Sequence, residues 1–328
     1  MNPDLFKNLP PEIITEIFLR LPVVSIPISK CVCKRWLHLL EFDAFAKSHF
    51  ARSAPALVVL GFSGGLNVLE FEGELDLHLH LHPLTNYDFP YGPANIYSYN
   101  NGLLVLRLPL DVLCVCNPIT REVIKLDLRI SDLSAHGFGA SKISGRYKAV
   151  CFHSKHCDDK PDCYVYTLGT GSRRRLEECF SFFKAPPYHA RRFPFTKGTS
   201  ISALNGCLWF CKVASEYGYE NDGGRCELTI WIMKEYGVDE SWSMEYVIRL
   251  DGSMRWVDPI KVFENGDLFM RAYSPRRHFY YSNKTKTMQR VDLFGAERAS
   301  DWVECGLFTR TFVSLKTLGL GVENVISF

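Results

Sequence analysis

Beyond residue 55 no window of the sequence carries the period of a helix. About 270 residues built from strands alone must close on themselves or repeat as radial units, because open sheet edges invite aggregation. Alternating, β-branched or aromatic segments predict strands over 56–60, 76–82, 102–108, 112–116, 147–153, 163–168, 207–213, 226–233, 242–250, 267–273 and 278–282. Self-similarity favours radial units. Asn101-Gly102, Asn205-Gly206 and Asn265-Gly266 each precede an apolar strand, and Asn-Gly supplies the positive φ values that tight hairpins require. A second turn follows each copy, at 117–121, 235–239 and 283–285, and the hairpin at 168–172 lacks the leading Asn-Gly. The spacing is irregular, with 104 residues from Asn101 to Asn205 and 60 from Asn205 to Asn265, so loops are inserted or a weak copy intervenes. A propeller accommodates this pattern best, with a pair of β-sandwiches as the other arrangement.

The first 50 residues follow another grammar. Pro10-Pro11 suits a first helical turn, and Ile13, Ile14, Ile17, Phe18 and Leu21 fall on one stripe before Pro22 closes the helix. Ser25 can cap a second start that tolerates Pro27 in its first turn, with Val32, Trp36, Leu37 and Leu40 continuing a stripe to Glu41. Asp43 can cap a last helix through Phe50. About 45 residues rarely keep a stable core unaided, so the apolar faces of this module pack against the rest of the chain or dock onto another protein.

Composition excludes several classes. At 328 residues the chain exceeds one ordinary core, and 47% hydrophobic residues make it globular. A net charge of +2 provides no field for nucleic acid. No apolar run is long enough to span a membrane, and Asp4, Lys7, Glu12 and Glu16 interrupt the place of a signal peptide, which predicts a cytoplasmic or nuclear protein. The twelve cysteines then read as free structural thiols, the C-x-C pairs Cys31/Cys33 and Cys114/Cys116 among them.

No motif requires a cofactor or metal. Gly61-Phe62-Ser63-Gly64-Gly65 fits a nucleophile elbow in letters, but a strand follows where a helix is needed, so a hairpin is the better reading. His78, His80 and His82 share one face of a strand without a third ligand, and the group around His153, His156, Cys157, Asp158, Asp159 and Cys163 reads as a polar loop. Basic clusters at 173–175, 191–192 and 276–278 are placed in turns. There Arg174, Arg191, Arg192 and Arg276, with Tyr188, Phe193, Tyr217 and Tyr219, are candidates for a recognition surface.

Leu9-Pro10-x-x-Ile13-Ile14-x-Glu16-Ile17-Phe18-x-Arg20-Leu21-Pro22-Val23-x-Ser25-Ile26, followed by Lys30-Cys31-Val32-Cys33-Lys34-x-Trp36, resembles an F-box of the large plant family. Val115-Cys116-Asn117-Pro118-Ile119-Thr120-Arg121-Glu122, His136-Gly137-Phe138-Gly139, Tyr164-Val165-Tyr166-Thr167-Leu168 and Ile230-Trp231-Ile232-Met233-Lys234-Glu235-Tyr236-Gly237-Val238 are similar to the F-box-associated domain of the same proteins. The resemblance implies an all-α F-box of three to four short helices over 3–50 and an all-β, propeller-like interaction domain over 55–328. It also implies a non-catalytic substrate receptor of an SCF-type ubiquitin ligase. Leu9, Pro10, Ile13, Ile17, Leu21, Pro22, Ile26, Val32 and Trp36 would carry the F-box roles, some packing the module and others meeting a Skp-type adaptor that leads to cullin and RING subunits. Pro27 and Ser29 depart from the family pattern and predict weaker docking, which leucine and phenylalanine there would restore. The other readings are an F-box scaffold outside the ligase and a propeller that binds a glycan or small ligand, or acts on one.

Overall fold

The computed structural model describes residues 9–61, 64–70, 83–129, 133–141, 144–153, 162–170, 173–176, 184–186, 194–217, 224–274, 276–291, 293, 303–318 and 325–327. Four helices come first: α1 (Pro11–Phe18), α2 (Ser25–Lys30), α3 (Lys34–Glu41) and α4 (Asp43–Arg52). Pro11 opens α1, where its missing N–H is no loss. The second expected helix is two helices, because Cys33 is extended (φ −160°, ψ 161°) and α3 starts afresh after it. Neither Ser25 nor Asp43 caps; each is the first residue of its helix, and neither helix has a side-chain cap.

Every later element is a strand or a short 3-10 turn among the described residues. In chain order they are β1 (Pro55–Gly61), β2 (Gly65–Glu70), β3 (Pro83–Asp88), β4 (Asn95–Asn100), β5 (Leu103–Arg107), β6 (Val112–Asn117) and β7 (Glu122–Arg129). Then come β8 (Leu133–Ala140), β9 (Tyr147–His153), β10 (Asp162–Thr167), β11 (Arg173–Leu176), β12 (Phe195–Leu204), β13 (Cys207–Ser215), β14 (Cys226–Met233) and β15 (Trp242–Leu250). The last are β16 (Arg255–Val262), β17 (Leu268–Ser274), β18 (Arg276–Ser282), β19 (Thr287–Val291), β20 (Val303–Thr309) and β21 (Val325–Ser327). They form five antiparallel sheets with the orders β20-β1-β2-β3, β21-β7-β6-β5-β4, β8-β9-β10-β11, β12-β13-β14-β15 and β16-β17-β18-β19. This is the repeating sheet of a propeller-like domain. The expected strand over 76–82, with its histidines, lies outside the described residues.

The internal repeat read from the sequence maps onto one place in the sheets. Asn101-Gly102 joins β4 to β5, Asn205-Gly206 joins β12 to β13, and Asn265-Gly266 joins β16 to β17. In the first two copies both residues have positive φ, whereas in the third only Gly266 does, and the Asn265 side chain instead accepts the Asp267 N–H at 2.9 Å. The turns at 117–121, 235–239 and 283–285 join the third strand to the fourth in the corresponding sheets. The sheet β8–β11, whose first hairpin lacks Asn-Gly, is the intervening weak copy. Gly61 ends β1 and Gly65 starts β2, and the two strands pair antiparallel, so a strand and not a helix follows Ser63 in the chain.

The chain divides into two compact units, one holding the helices, β1–β11, β20 and β21, the other holding β12–β19. In the first unit β20 lies beside β4, and β4 beside β8; in the second, β12 lies beside β16. Inner strands buried on both faces need apolar side chains at consecutive positions, as in Ala56–Leu60 and Leu103–Leu106. In one core cluster of the first unit, Ile14, Phe18, Val23, Ile26, Leu40, Phe45 and Ala46 of the helices join Val58, Leu104, Cys116 and Phe308 of the sheets.

Two buried histidines tie stability to pH. Burial, with the Arg310 charge second, pushes His49 down to about 4, and burial, with Arg271 second, does the same to His278. His49 rests edge-on against Phe312 at 4.8 Å, and His278 stacks on Phe269 at 5.8 Å. Both fold neutral, so the unfolded chain binds the extra protons. Their contribution is present above pH 6.5 and is lost as pH falls toward 4. Chemical denaturation at pH 5 is expected to give about 1 to 2 kcal/mol less stability per histidine than at pH 7.5. A His278→Leu variant should lose part of that slope; an unchanged slope would remove His278 from the account.

Candidate docking surfaces

The periodicity of α1 sorts its apolar residues onto two faces. Ile14 and Phe18, four apart, are buried, whereas Ile13 and Ile17, also four apart, are 48% and 37% exposed. A second exposed row runs from the residue before α2 to the turn after it: Val24, Ile28 and Val32, spaced by four, at 46%, 69% and 60%. Burial of an apolar side chain is favourable by about 1.5 to 3 kcal/mol, and none of these five gains it from the chain itself to the extent that Ile14 and Phe18 do. The helices thus satisfy both explanations for their apolar faces. One face enters the shared core, and the other is exposed.

Side-chain contacts brace the helices behind these exposed rows. Trp36 packs edge-on against Phe18 at 4.9 Å. Arg35 donates to the Leu9 carbonyl at 2.7 Å, which fixes the start of α1. Arg52 of α4 clamps Glu16 of α1 with two hydrogen bonds of 2.8 and 2.9 Å, and these hold the Glu16 carboxyl below its usual range.

Of the residues assigned F-box roles, Ile13, Ile17 and Val32 face outward with Pro10 and Pro22, Ile26 is fully buried, and Leu9, Leu21 and Trp36 are half-buried against the core. Val24 and Ile28, exposed in line with Val32, were not among those residues, although the spacing was visible in the sequence. Ser29 is not a docking position. Its side chain is buried and its hydroxyl donates to the Ser25 carbonyl at 2.8 Å, so phenylalanine there would overpack the core rather than enlarge the surface. Pro27 is exposed in the first turn of α2, where its missing donor costs nothing.

The recognition candidates of the β region are dispersed. Tyr188, Arg191, Arg192, Phe193 and Tyr219 lie outside the described residues. Arg174 belongs to edge strand β11 rather than to a turn, opposite Val165. Arg276 starts β18 opposite Tyr273, and Tyr217 is half-exposed after β13. Arg174 is in the first compact unit, and Tyr217 and Arg276 are in the second. His278 is no part of a basic surface, being buried and held neutral.

A feature not read from the sequence is a cleft of about 410 Å³ in the first unit, lined by Leu60, Arg107, Leu108, Pro109, Leu110 and Glu304 among others. Leu110 is 90% exposed and has φ +63°, a conformation that β-carbon sterics disfavour. The cleft sits at the Gly61–Val303 end of β1 and β20. The helices attach at the opposite Pro55–Thr309 end, about 20 Å away by strand rise.

No group of three or more metal-ligating side chains occurs among the described residues, and no described helix is long and apolar enough to cross a membrane.

Residues 6–46 match the F-box domain family, and residues 78–190 match the F-box associated beta propeller domain family. The Arabidopsis thaliana F-box protein CPR1 is 23% identical over 314 residues, covering 76% of this chain and 75% of that protein. F-box/LRR-repeat protein At2g43260 of the same plant is 23% identical over 353 residues, covering 86% of this chain and 79% of that protein. F-box protein At3g07870 is 25% identical over 317 residues, covering 74% and 73%.

Proposed function

Since the chain is a plant-type F-box protein with an F-box-associated β domain, we propose that it is the substrate-recognition subunit of an SCF-type ubiquitin ligase and catalyses nothing itself. The carrying observation is the division of the helices into a face built into the β core and an apolar face left exposed. A Skp-type adaptor docks on Ile13, Ile17, Val24, Ile28 and Val32 and connects the chain to cullin and RING subunits. The inward face couples the adaptor mechanically to the sheets.

The β domain holds a target protein, and the F-box-distal cleft beside Leu110 is the recognition feature of the first unit. Residence there raises the effective concentration of the target's lysines near the activated ubiquitin, a gain that needs no catalytic group on this chain. Localisation in the cytoplasm or nucleus belongs to the same reading.

Co-purification with a Skp-type adaptor tests it. The reduced wild-type chain is expected to bind. The double variant Ile17→Asp, Ile28→Asp is expected to bind at least about 100-fold more weakly, since charges would be desolvated at the centre of the interface. Both positions are exposed, so the variant should keep the wild-type melting temperature within about a degree, as surface changes usually do. A folded wild type that does not bind, or a double variant that binds equally well, would refute the assignment.

A further inference from the structure

Exposure is described for eight of the cysteines, and these eight divide sharply. Cys114, Cys116, Cys211, Cys226 and Cys305 are buried and Cys207 is half-buried, whereas Cys31 and Cys33 are exposed. Burial pushes the Cys114 thiol up to about 12 and raises Cys116 and Cys211 as well, so none of these three is a thiolate near neutrality. Thiol chemistry needs both access and a thiolate. The expectation of uniformly structural thiols therefore fails at one C-x-C pair and holds at the other.

The exposed pair is placed where it matters. Cys31 ends α2 in a helical conformation and Cys33 precedes α3 in an extended one, and between them stands Val32, 60% exposed on the docking surface. The local sequence is Lys30-Cys31-Val32-Cys33-Lys34-Arg35. Lys30 lies 3.9 Å from Glu41, Arg35 donates to the Leu9 carbonyl, and Lys34 is exposed. Such a cationic run raises the local concentration of an anionic reagent.

We propose that Cys31 and Cys33 form a modification site for an anionic low-molecular-weight disulfide, and that the adduct closes the docking surface around Val32. In the exchange a thiol loses its proton to solvent and its sulfur attacks one sulfur of the disulfide. The old S–S bond breaks as the new one forms, and the other half leaves as a thiolate that takes up a proton. One disulfide is consumed and one is made, so no further oxidant is needed. The adduct places a bulky charged group beside the side chain that an adaptor must bury. Reduction restores the surface. The blocking step rests on the docking function proposed above, while the modification itself does not.

The test uses the full reduced chain and oxidised glutathione as the probe, with cystamine, a cationic disulfide, as the comparison. Mass mapping is expected to find the glutathionyl group on residues 31–34. Its rate of formation should be about tenfold higher at low than at high ionic strength and lower in Lys34→Glu, and cystamine should show the opposite salt trend. Adaptor binding by the adduct should fall at least tenfold and return with dithiothreitol. The variant Cys31→Ser, Cys33→Ser should bind the adaptor regardless of disulfide treatment. Adducts found only on other cysteines, or loss of two hydrogens from 31–34 in place of an adduct, would overturn the site. An adduct that binds the adaptor as tightly as the reduced chain would overturn the blocking step. If the reduced chain itself does not bind, the docking function fails, and the mass map still decides the modification site.

Discussion

Replacing Asn117 by alanine is expected to destabilise the first compact unit by about 3 kcal/mol, lowering its melting temperature by roughly 6 to 12 °C. Asn117 is fully buried at the end of β6, in the turn that the sequence places in the family's Asn-Pro-x-Thr-Arg-Glu pattern. Its amide donates to the carbonyls of Thr311 at 3.1 Å and Val313 at 2.7 Å, and its oxygen accepts the Ile119 N–H at 2.9 Å. Glu122, closing the same turn, accepts from the Ser314 hydroxyl at 2.7 Å and the Leu315 N–H at 2.6 Å. The turn thus grips a segment nearly 200 residues away. That segment carries Phe312, which packs on Phe45 and His49 of α4. Asn117 therefore holds the F-box to the sheets through one intermediate, and its loss should loosen the helices before the strands. Hydrogen exchange in α4 would report this. Asn117→Asp keeps the shape but turns a carboxylate toward two carbonyl acceptors, so it should be at least as damaging as alanine. Tolerance of aspartate would show that the amide donors do not matter.

The second large effect is a contrast between two glycines that look alike in sequence. Gly102 and Gly206 occupy the same turn of their repeats and share φ +77°. A β-carbon on Gly206 would meet nothing within 4 Å, so Gly206→Ala should cost only the left-handed penalty of about 1 to 2 kcal/mol. A β-carbon on Gly102 would lie 2.4 Å from Thr311 Cγ2 and 2.5 Å from the Thr309 carbonyl oxygen. The backbone of the C-terminal segment would have to move, adding about 1 to 3 kcal/mol of overpacking. Urea denaturation of both variants gives the comparison. Equal losses would mean that the Thr309–Thr311 segment yields freely and does not brace the turn.

Much of the strand content was legible from residue pattern. The segments over 147–153, 226–233 and 242–250 match β9, β14 and β15 residue for residue, because alternation and β-branching report a pleated, half-buried surface directly. Strands β3, β4, β7, β8, β11, β12, β16, β19, β20 and β21 were given no range. Gly137 and Gly139 dilute β8, Gly198 dilutes β12, and charges interrupt β7 and β16; their partners, not their own propensity, make them strands. The α2–α3 break was missed because Val32, Trp36 and Leu40 keep a helical spacing across it, and only the extended Cys33 reveals the interruption.

By itself the amino-acid sequence determined the change from helical to strand grammar near residue 55, the internal repeat and the placement of its turns, because each depends on local periodicity and on residues that tolerate positive φ. It also carried the spacing of Ile13 with Ile17 and of Val24, Ile28 and Val32. Only the tertiary structure decided that these five remain outside while Ile14, Phe18 and Ile26 go in, that β20 completes the sheet begun by β1, and that one cysteine pair is reachable and the other sealed. Each of those outcomes depends on which distant surface covers a residue, and such cover is set by contacts between segments up to about 250 positions apart, which no local pattern encodes.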